Sequence, residues 1–168
     1  MSSAFDIVPL GADEGPLLQR LRIAALTESP DAFSPTAAEA RTHDDAYWQR
    51  AAQRAAANAD FELFTARVDG EGLGLASAQR DADGVGHIGA MWVDPRLRGR
   101  GAGAALFDTA VGFLRERGCV DIRLSVTETN AAAIALYQSR GFVLTGEAEP
   151  LRSGSPLRNL TMRWQAAK

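Results

Sequence analysis

The stretch from Met91 to Phe107 constrains the fold of this chain more than any other. An apolar strand end, Met91 to Val93, runs into Asp94-Pro95, and proline stops a sheet ladder because it has no N–H and a fixed φ. Before a run of small residues with helical character come three glycines at alternate positions, Gly99, Gly101 and Gly103. A glycine-rich loop and a helix N-terminus present unpaired N–H groups, so this order favours a site for a phosphate-bearing ligand.

The composition is that of one ordinary globular domain over residues 1–168. Hydrophobic residues make up 46% and charged residues 23% of the chain, so a packed core is expected rather than disorder. The net charge of -3 argues against nucleic-acid binding, which favours a basic surface. The single cysteine, Cys119, excludes an internal disulfide and is predicted to be a buried structural thiol.

Neither a membrane segment nor a metal site is predicted. The chain has no apolar run near the ~20 residues of a membrane span, and its first residues lack the basic and apolar blocks of a signal peptide. Its two histidines, His43 and His87, have no partners at metal-ligand spacing. We therefore expect a cytoplasmic protein without a metal cofactor or a membrane partner.

Hydrophobic periodicity predicts seven strands and four helices in the order β-α-α-β-β-β-α-β-α-β-β. The strands are expected at 5–10, 61–68, 73–79, 86–93, 120–126, 142–144 and 159–164, and the helices at 12–27, 44–58, 104–117 and 131–139. Tight turns should join the strands within 61–93 into an antiparallel meander, whereas the crossover from 86–93 to 120–126 should pair parallel strands. Residues 31–42 are interpreted as a loop with one helical turn, and residues 147–156 as a mobile loop. The fold class is α/β, with a mixed and mostly antiparallel central sheet.

Two stretches carry a resemblance to a known family. Val93-Asp94-Pro95 followed by Arg98 to Gly103 resembles the acetyl-CoA motif of the GNAT (Gcn5-related N-acetyltransferase) superfamily, Arg/Gln-x-x-Gly-x-Gly/Ala between a strand and a helix. The stretch from Asn130 to Tyr137, followed by Gly141-Phe142, resembles the family's asparagine-to-tyrosine helix. The element order is also that of GNAT proteins, so the resemblance implies a GNAT-like fold for nearly the whole chain.

The resemblance implies acetyl-CoA as the cosubstrate and assigns a role to several residues. The pyrophosphate would lie on the loop backbone, the pantetheine arm would pair with the strand end, and Asn130 would contact that arm. The implied cofactor-binding residues are Met91, Trp92, Val93, Arg98, Gly99, Arg100, Gly101, Ala102, Gly103, Ala104 and Asn130. Tyr137 would be the general acid, because a phenol with a pKa near 10 stays protonated at neutral pH.

The sequence assigns no general base. Ser125 stands where many protein N-terminal acetyltransferases of the family have a glutamate, and three further carboxylates stay open as candidates: Glu128, Glu62 and Asp81. Four acidic residues lie in the segment that lines the acceptor groove in the family, where they could attract a cationic amine, although ordinary solvated surface charge explains them better. They are Asp31, Glu39, Asp44 and Asp45.

The function implied is transfer of an acetyl group from acetyl-CoA to a primary amine, an acyltransferase reaction. Ser125 favours a small acceptor, such as an amino acid, a polyamine or an aminoglycoside, over a protein amine. The alternatives are a protein N-terminal or lysine acetyltransferase and a non-catalytic acyl-CoA-binding module. A dinucleotide-binding oxidoreductase is disfavoured because Gly99, Gly101 and Gly103 lack the G-x-G-x-x-G spacing. GNAT proteins are often dimers, so a homodimer is a further option.

Overall fold

Seven strands form one sheet in the computed structural model, which describes residues 4–167. The strands are β1 (Asp6–Pro9), β2 (Phe61–Val68), β3 (Glu71–Arg80), β4 (Gly86–Val93), β5 (Asp121–Thr127), β6 (Val143–Pro150) and β7 (Arg158–Gln165). Across this described range, five α-helices flank the sheet: α1 (Gly15–Glu28), α2 (Ala37–Arg41), α3 (Asp45–Ala57), α4 (Ala102–Glu116) and α5 (Ala131–Ser139). The strand order is β1-β2-β3-β4-β5-β7-β6, and β4 with β5 is the parallel pair in an otherwise antiparallel sheet. The predicted fold class and the parallel crossover are confirmed.

The meander from β2 to β4 has the turns that its sequence predicts. Asp69 and Gly70 both have positive φ, 50° and 82°, the backbone of the two-residue hairpin turn that favours Asp-Gly. Before β4, the Asp81 carbonyl accepts a hydrogen bond from the Gly84 N–H at 3.0 Å. These two turns set the pairing of β2 with β3 and of β3 with β4, and β4 then leads into the glycine-rich loop.

Two predicted loops contain regular structure. The segment 31–42 holds a 3-10 turn, Pro30–Ala32, and helix α2, which begins at a capping box in which Thr36 and Glu39 bond each other's backbone N–H. The prediction of a loop over 147–156 is wrong for its first four residues, because β6 continues to Pro150 past a register shift. Every residue of β6 is exposed, so the strand has no apolar alternation that the sequence could reveal.

The core lies on both faces of the sheet. On one face α4 and α5 bury residues such as Leu106, Phe107 and Phe142, and on the other α1 and α3 bury residues such as Leu21 and Trp48. Helix α4 buries the predicted face of Leu106, Ala110, Phe113 and Leu114, although it begins at Ala102 rather than at Ala104. Cys119 is a buried free thiol, as predicted, and burial raises its pKa. Because helices cover both faces of the sheet, a ligand can reach its interior only where two neighbouring strands separate.

Candidate active site

Strands β4 and β5 separate halfway along β4. They pair only where Gly86–Ile88 lie beside Ile122–Leu124. Beyond this point β4 contains a bulge, where the register with β3 shifts and Ala90 takes a positive φ of 54°. In the described chain, the edge of β4 from residue 89 to residue 93 therefore has no partner on β5, and its backbone polar groups face an opening.

Two adjoining cavities fill this opening and share Ala32, Phe33, Met91 and Asn130. The first, which we call the splay cavity, has a volume of about 220 Å³ and lies between β4 and β5. The second, the loop cavity, has a volume of about 560 Å³ and runs along the end of β4 to Arg98. A ligand that lies along β4 can thus reach from the glycine-rich loop into the sheet.

The glycine-rich loop turns the chain from β4 into α4. After the 3-10 turn Pro95–Leu97, Gly99 and Gly101 have φ values of 79° and 86°, which glycine adopts without strain. A Cβ atom at either glycine would meet no atom within 4 Å, so open space lies above the loop. Gly101 is the N-cap of α4, and the first-turn N–H groups of a helix lack carbonyl partners within it. Arg98 lines the loop cavity, and the rest of the predicted phosphate-binding stretch, through Ala104, continues from it into the start of α4.

Arg98 is anchored by contacts within the protein. Its Nε donates to the Val93 carbonyl at 2.9 Å, and its Nη2 lies 2.7 Å from Glu28 Oε1 at the end of α1. Glu28 also accepts hydrogen bonds from Ser29 Oγ and from Trp92 Nε1. The hydrogen bond from Arg98 is the main reason that the pKa of Glu28 falls to about 2. Sequence reasoning missed Glu28, since its partner is distant in the chain and no motif surrounds it.

Asn130 and Tyr137 lie on α5, one at its start and one near its end. The Asn130 Oδ1 atom accepts a hydrogen bond from the Ala133 N–H at 3.3 Å, which makes Asn130 the N-cap, and Asn130 lines both cavities. Tyr137 packs its ring against Phe107, with 4.7 Å between the ring centroids, and lines the splay cavity. Burial raises the pKa of Tyr137 to about 12, so its hydroxyl keeps its proton at any physiological pH.

None of the three candidate carboxylates for a general base lines the splay cavity. Glu128 bonds Arg158 and Asp81 bonds His87, while Glu62 lies on β2, where burial raises its pKa. Ser125 does line the splay cavity, as the resemblance indicated. The absence of an assigned base is therefore consistent with the placement of these side chains.

The acidic residues that could have attracted a cationic amine do not line the splay cavity. Asp31 borders the loop cavity and an outer surface groove, Glu39 closes the capping box of α2, and Asp44 is the N-cap of α3. Glu39 and Asp44 lie close together in the sequence because two helices begin there, and carboxylates at a helix start accept hydrogen bonds from free backbone N–H groups. This placement gives no support to the alternative of an acidic acceptor groove at the splay cavity, and it fits the favoured interpretation of these residues as ordinary surface charge.

The described residues, 4–167, hold neither a cluster of metal ligands nor a membrane-spanning helix. No group of three or more histidine, cysteine, aspartate or glutamate side chains there is placed to hold a metal ion. None of the helices in the same range combines the length and the apolar character needed to cross a membrane.

Known proteins with similar sequences or folds are acetyltransferases. A mycothiol acetyltransferase from Beutenbergia cavernae is 42% identical over 82 residues, which are 48% of this chain and 28% of that relative. The chain thus spans about a quarter of the length of the curated relatives it matches. A solved nourseothricin acetyltransferase is 30% identical, with a TM-score of 0.58 over 64% of this chain and 66% of that one.

The fold is shared over the whole described chain. The structure of yncA, a putative acetyltransferase from Salmonella typhimurium with its cofactor acetyl-CoA, has a TM-score of 0.81 at 19% identity and covers 99% of this chain and 96% of that one. The model of the acetyltransferase (GNAT) family matches residues 23–142, which include the glycine-rich loop and all of helix α5 with Tyr137. Because this match spans well over half of the chain, the protein belongs to the GNAT acetyltransferase family.

Proposed function

We propose that this protein transfers the acetyl group of acetyl-CoA directly to a primary amine of a small molecule. One observation carries the proposal: the loop cavity and the splay cavity meet at Met91 and Asn130, where β4 leaves β5. A donor that enters along the loop cavity and an acceptor held in the splay cavity would meet at that point. The predicted cytoplasmic location and homodimer stay predictions.

The residues around the loop cavity fit the cosubstrate. Backbone N–H groups of Arg98 to Ala104 would bind its pyrophosphate, and the free edge of Met91 to Val93 would pair with its extended amide-bearing arm. The Trp92 side chain is buried in the core between the sheet and helices α1 and α3, so Trp92 would contribute only backbone groups. Asn130, which lines both cavities, would contact the arm near the thioester.

The residues around the splay cavity fit the chemistry of transfer. The acceptor nitrogen attacks the thioester carbonyl, a C–N bond forms and the C–S bond breaks, while N–H groups on the free edge of β4 stabilise the oxyanion. Tyr137 donates its phenolic proton to the leaving thiolate and regains a proton through water from the acceptor nitrogen. With a volume of about 220 Å³, the cavity is below the ~300 Å³ at which sites for drug-sized ligands begin, so it fits a small acceptor.

Calorimetric titration of the purified protein with acetyl-CoA, with NADH as the control, is the first test. We expect micromolar binding of acetyl-CoA and none of NADH. A panel of primary amines then follows, with release of the free thiol of CoA as the signal. Failure to bind acetyl-CoA would refute the proposal. Binding without thiol release for any amine would identify a non-catalytic acyl-CoA-binding module instead.

A further inference from the structure

We infer that Arg22 binds a carboxylate of the acceptor and that the acceptor is an amino acid. This inference rests on the proposed acetyl transfer and names its substrate class. The amine of such an acceptor would face Tyr137, and its carboxylate would pair with the guanidinium of Arg22. Both residues line the splay cavity.

Arg22 lies on α1 next to the buried Leu21 and has no anionic partner. Its guanidinium carbon lies 5.6 Å from the centroid of the Phe33 ring, which forms part of the same cavity wall. Within residues 4–167, no carboxylate lies within 4 Å of Arg22 and its side chain makes no hydrogen bond. Two arginines on the strands differ, since Arg67 of β2 pairs with Glu14 and Arg163 of β7 with Asp121.

Arg22 is also the only charged residue among the described residues that line the splay cavity. The other polar lining residues are neutral: Ser34, Ser125, Asn130, Tyr137 and Asn159. Desolvation by burial lowers the pKa of Arg22, which shows that the surroundings penalise its charge. A half-buried cation without a partner is costly, and an anionic ligand offsets that cost on binding.

The chemistry of the cavity selects a carboxylate that belongs to a small amine. A planar guanidinium binds a carboxylate through two parallel hydrogen bonds. A cavity of about 220 Å³ must then hold both this carboxylate and the reacting nitrogen, so the two groups lie on one small molecule. Polyamines and aminoglycosides carry several cations and would meet Arg22 with like charge and without a compensating carboxylate. Ile88, Leu124 and Val126 make the rest of the wall apolar, which favours an amino acid with an uncharged side chain.

The test compares each uncharged amino acid with its α-amide as the acceptor. Wild type is measured beside Arg22→Met, which keeps the apolar stem, Arg22→Lys, which keeps the charge, and Arg50→Met, an exposed arginine that lines neither cavity. For wild type we expect kcat/KM to be at least about 10-fold higher for the best acid than for its amide. Arg22→Met should lose that preference and Arg22→Lys should keep part of it, whereas Arg50→Met and the Kd for acetyl-CoA should not change.

Several outcomes would overturn the inference. One is an amide that serves as well as the acid in wild type, and another is a preference for the acid that survives in Arg22→Met. Thermal unfolding identifies a variant that fails to fold, and in that case Arg22→Gln replaces it. If wild type acetylates no amine, the proposed transfer is wrong, and NMR titration of the CoA-loaded protein with amino acids decides this site separately. Binding that Arg22→Met abolishes would support the carboxylate site, and no binding to wild type would refute it.

Discussion

The charged side chains around the site differ in whether the protein itself supplies a partner of opposite charge. Arg98 and Glu28 neutralise each other at the mouth of the loop cavity, whereas Arg22 has no such partner in the described chain. For Tyr137, burial alone raises the pKa of the hydroxyl further above neutral pH. Each case gives a different expectation for the effect of a substitution.

Replacing Tyr137 by phenylalanine should lower kcat without weakening cosubstrate binding. The ring packing on Phe107 is kept and only the proton donor is lost, so we expect kcat to fall by about 10² or more. Steady-state kinetics and calorimetry with acetyl-CoA measure the two effects. Phe142→Leu, a change in the same aromatic cluster, controls for packing. Turnover equal to wild type in Tyr137→Phe would remove Tyr137 from the mechanism.

The pair of Glu28 and Arg98 should stabilise the fold in a pH-dependent way. The pKa of Glu28 is about 2 in the folded protein and near 4.5 when unfolded, so its stabilisation is complete above about pH 4.5 and is lost as the pH falls toward 2. Because the pair is partly exposed, we expect Glu28→Gln to lower the free energy of unfolding by about 1 kcal/mol at pH 7.

Urea unfolding of both proteins at several pH values between 7 and 2.5 measures this difference. Its size should shrink toward zero at the acid end. Glu116→Gln is the control, because Glu116 is exposed and makes no ion pair within residues 4–167. A difference between Glu28→Gln and wild type that stays constant down to pH 2.5 would contradict the role of the charge.

At this scale the sequence revealed the residues that belong to motifs. The Arg98-to-Gly103 pattern and the seven-residue spacing from Asn130 to Tyr137 are local, and of these residues Arg98, Asn130 and Tyr137 line the cavities. Arg22 and Glu28 lie on helix α1, where the hydrophobic periodicity of the sequence predicts only which residues are buried. Arg22 contacts Phe33, and Glu28 contacts Trp92 and Arg98. The sequence could not reveal these contacts, because they depend on the tertiary fold.

At the scale of elements, the glycine-rich loop should tolerate alanine at one glycine and not at another. Gly101 has a φ of 86°, and an L-residue in this conformation costs about 1–2 kcal/mol. Gly103 lies inside α4 with ordinary φ, and its added Cβ would meet Val93 Cγ2 at 3.7 Å, a normal contact. Gly101→Ala should therefore lower both stability and acetyl-CoA affinity, the latter by about 10-fold or more, because the loop N–H groups lose their geometry.

Gly103→Ala is the matched control and should fold and bind as wild type does, with a free energy of unfolding higher by up to about 1 kcal/mol. Urea unfolding and calorimetry with acetyl-CoA measure both variants. An equal loss of acetyl-CoA affinity in both variants would show that the positive φ of Gly101 is not the reason that the loop needs glycine there.

The elements that the sequence missed carry no apolar pattern. Strand β6 is exposed along its length, and α2 has only five residues, so neither gives a periodic signal. The bulge in β4 is equally hidden, because the residue with positive φ is Ala90 where a glycine would have marked it. The long helices and the alternating strands were predictable because each buries one face.

At the scale of the whole molecule, the splay cavity is assembled from distant parts of the chain. Helix α1 and the segment 32–35 form one wall, β4 and β5 form the floor, and Asn159 of β7 closes a side. No local pattern in the sequence encodes such a cavity. Its shape depends on contacts that fix these parts to one another.

Arg152 is the main such contact between the first quarter of the chain and the hairpin of β6 and β7. Its guanidinium donates to the carbonyl oxygens of Pro30 at 2.5 Å, Phe33 at 2.7 Å and Ser34 at 3.1 Å. Asn159 adds a hydrogen bond from Nδ2 to Ser34 Oγ at 3.0 Å. One planar side chain thus holds a wall of both cavities in place, which a lysine with a single nitrogen cannot do.

Removing this contact should impair the acceptor site more than the fold. We expect Arg152→Ala to lower the free energy of unfolding by about 1–3 kcal/mol, and Arg152→Lys to recover little of it. A wall displaced by even ~1 Å misaligns the reacting groups, so kcat/KM for the acceptor should fall by about 10-fold or more. Amide hydrogen exchange over 31–35 should become faster. Arg158→Ala is the control, because Arg158 lies on the same hairpin and pairs with Glu128 instead. Unchanged exchange in this segment, with wild-type kinetics in Arg152→Ala, would show that the wall holds its position without Arg152.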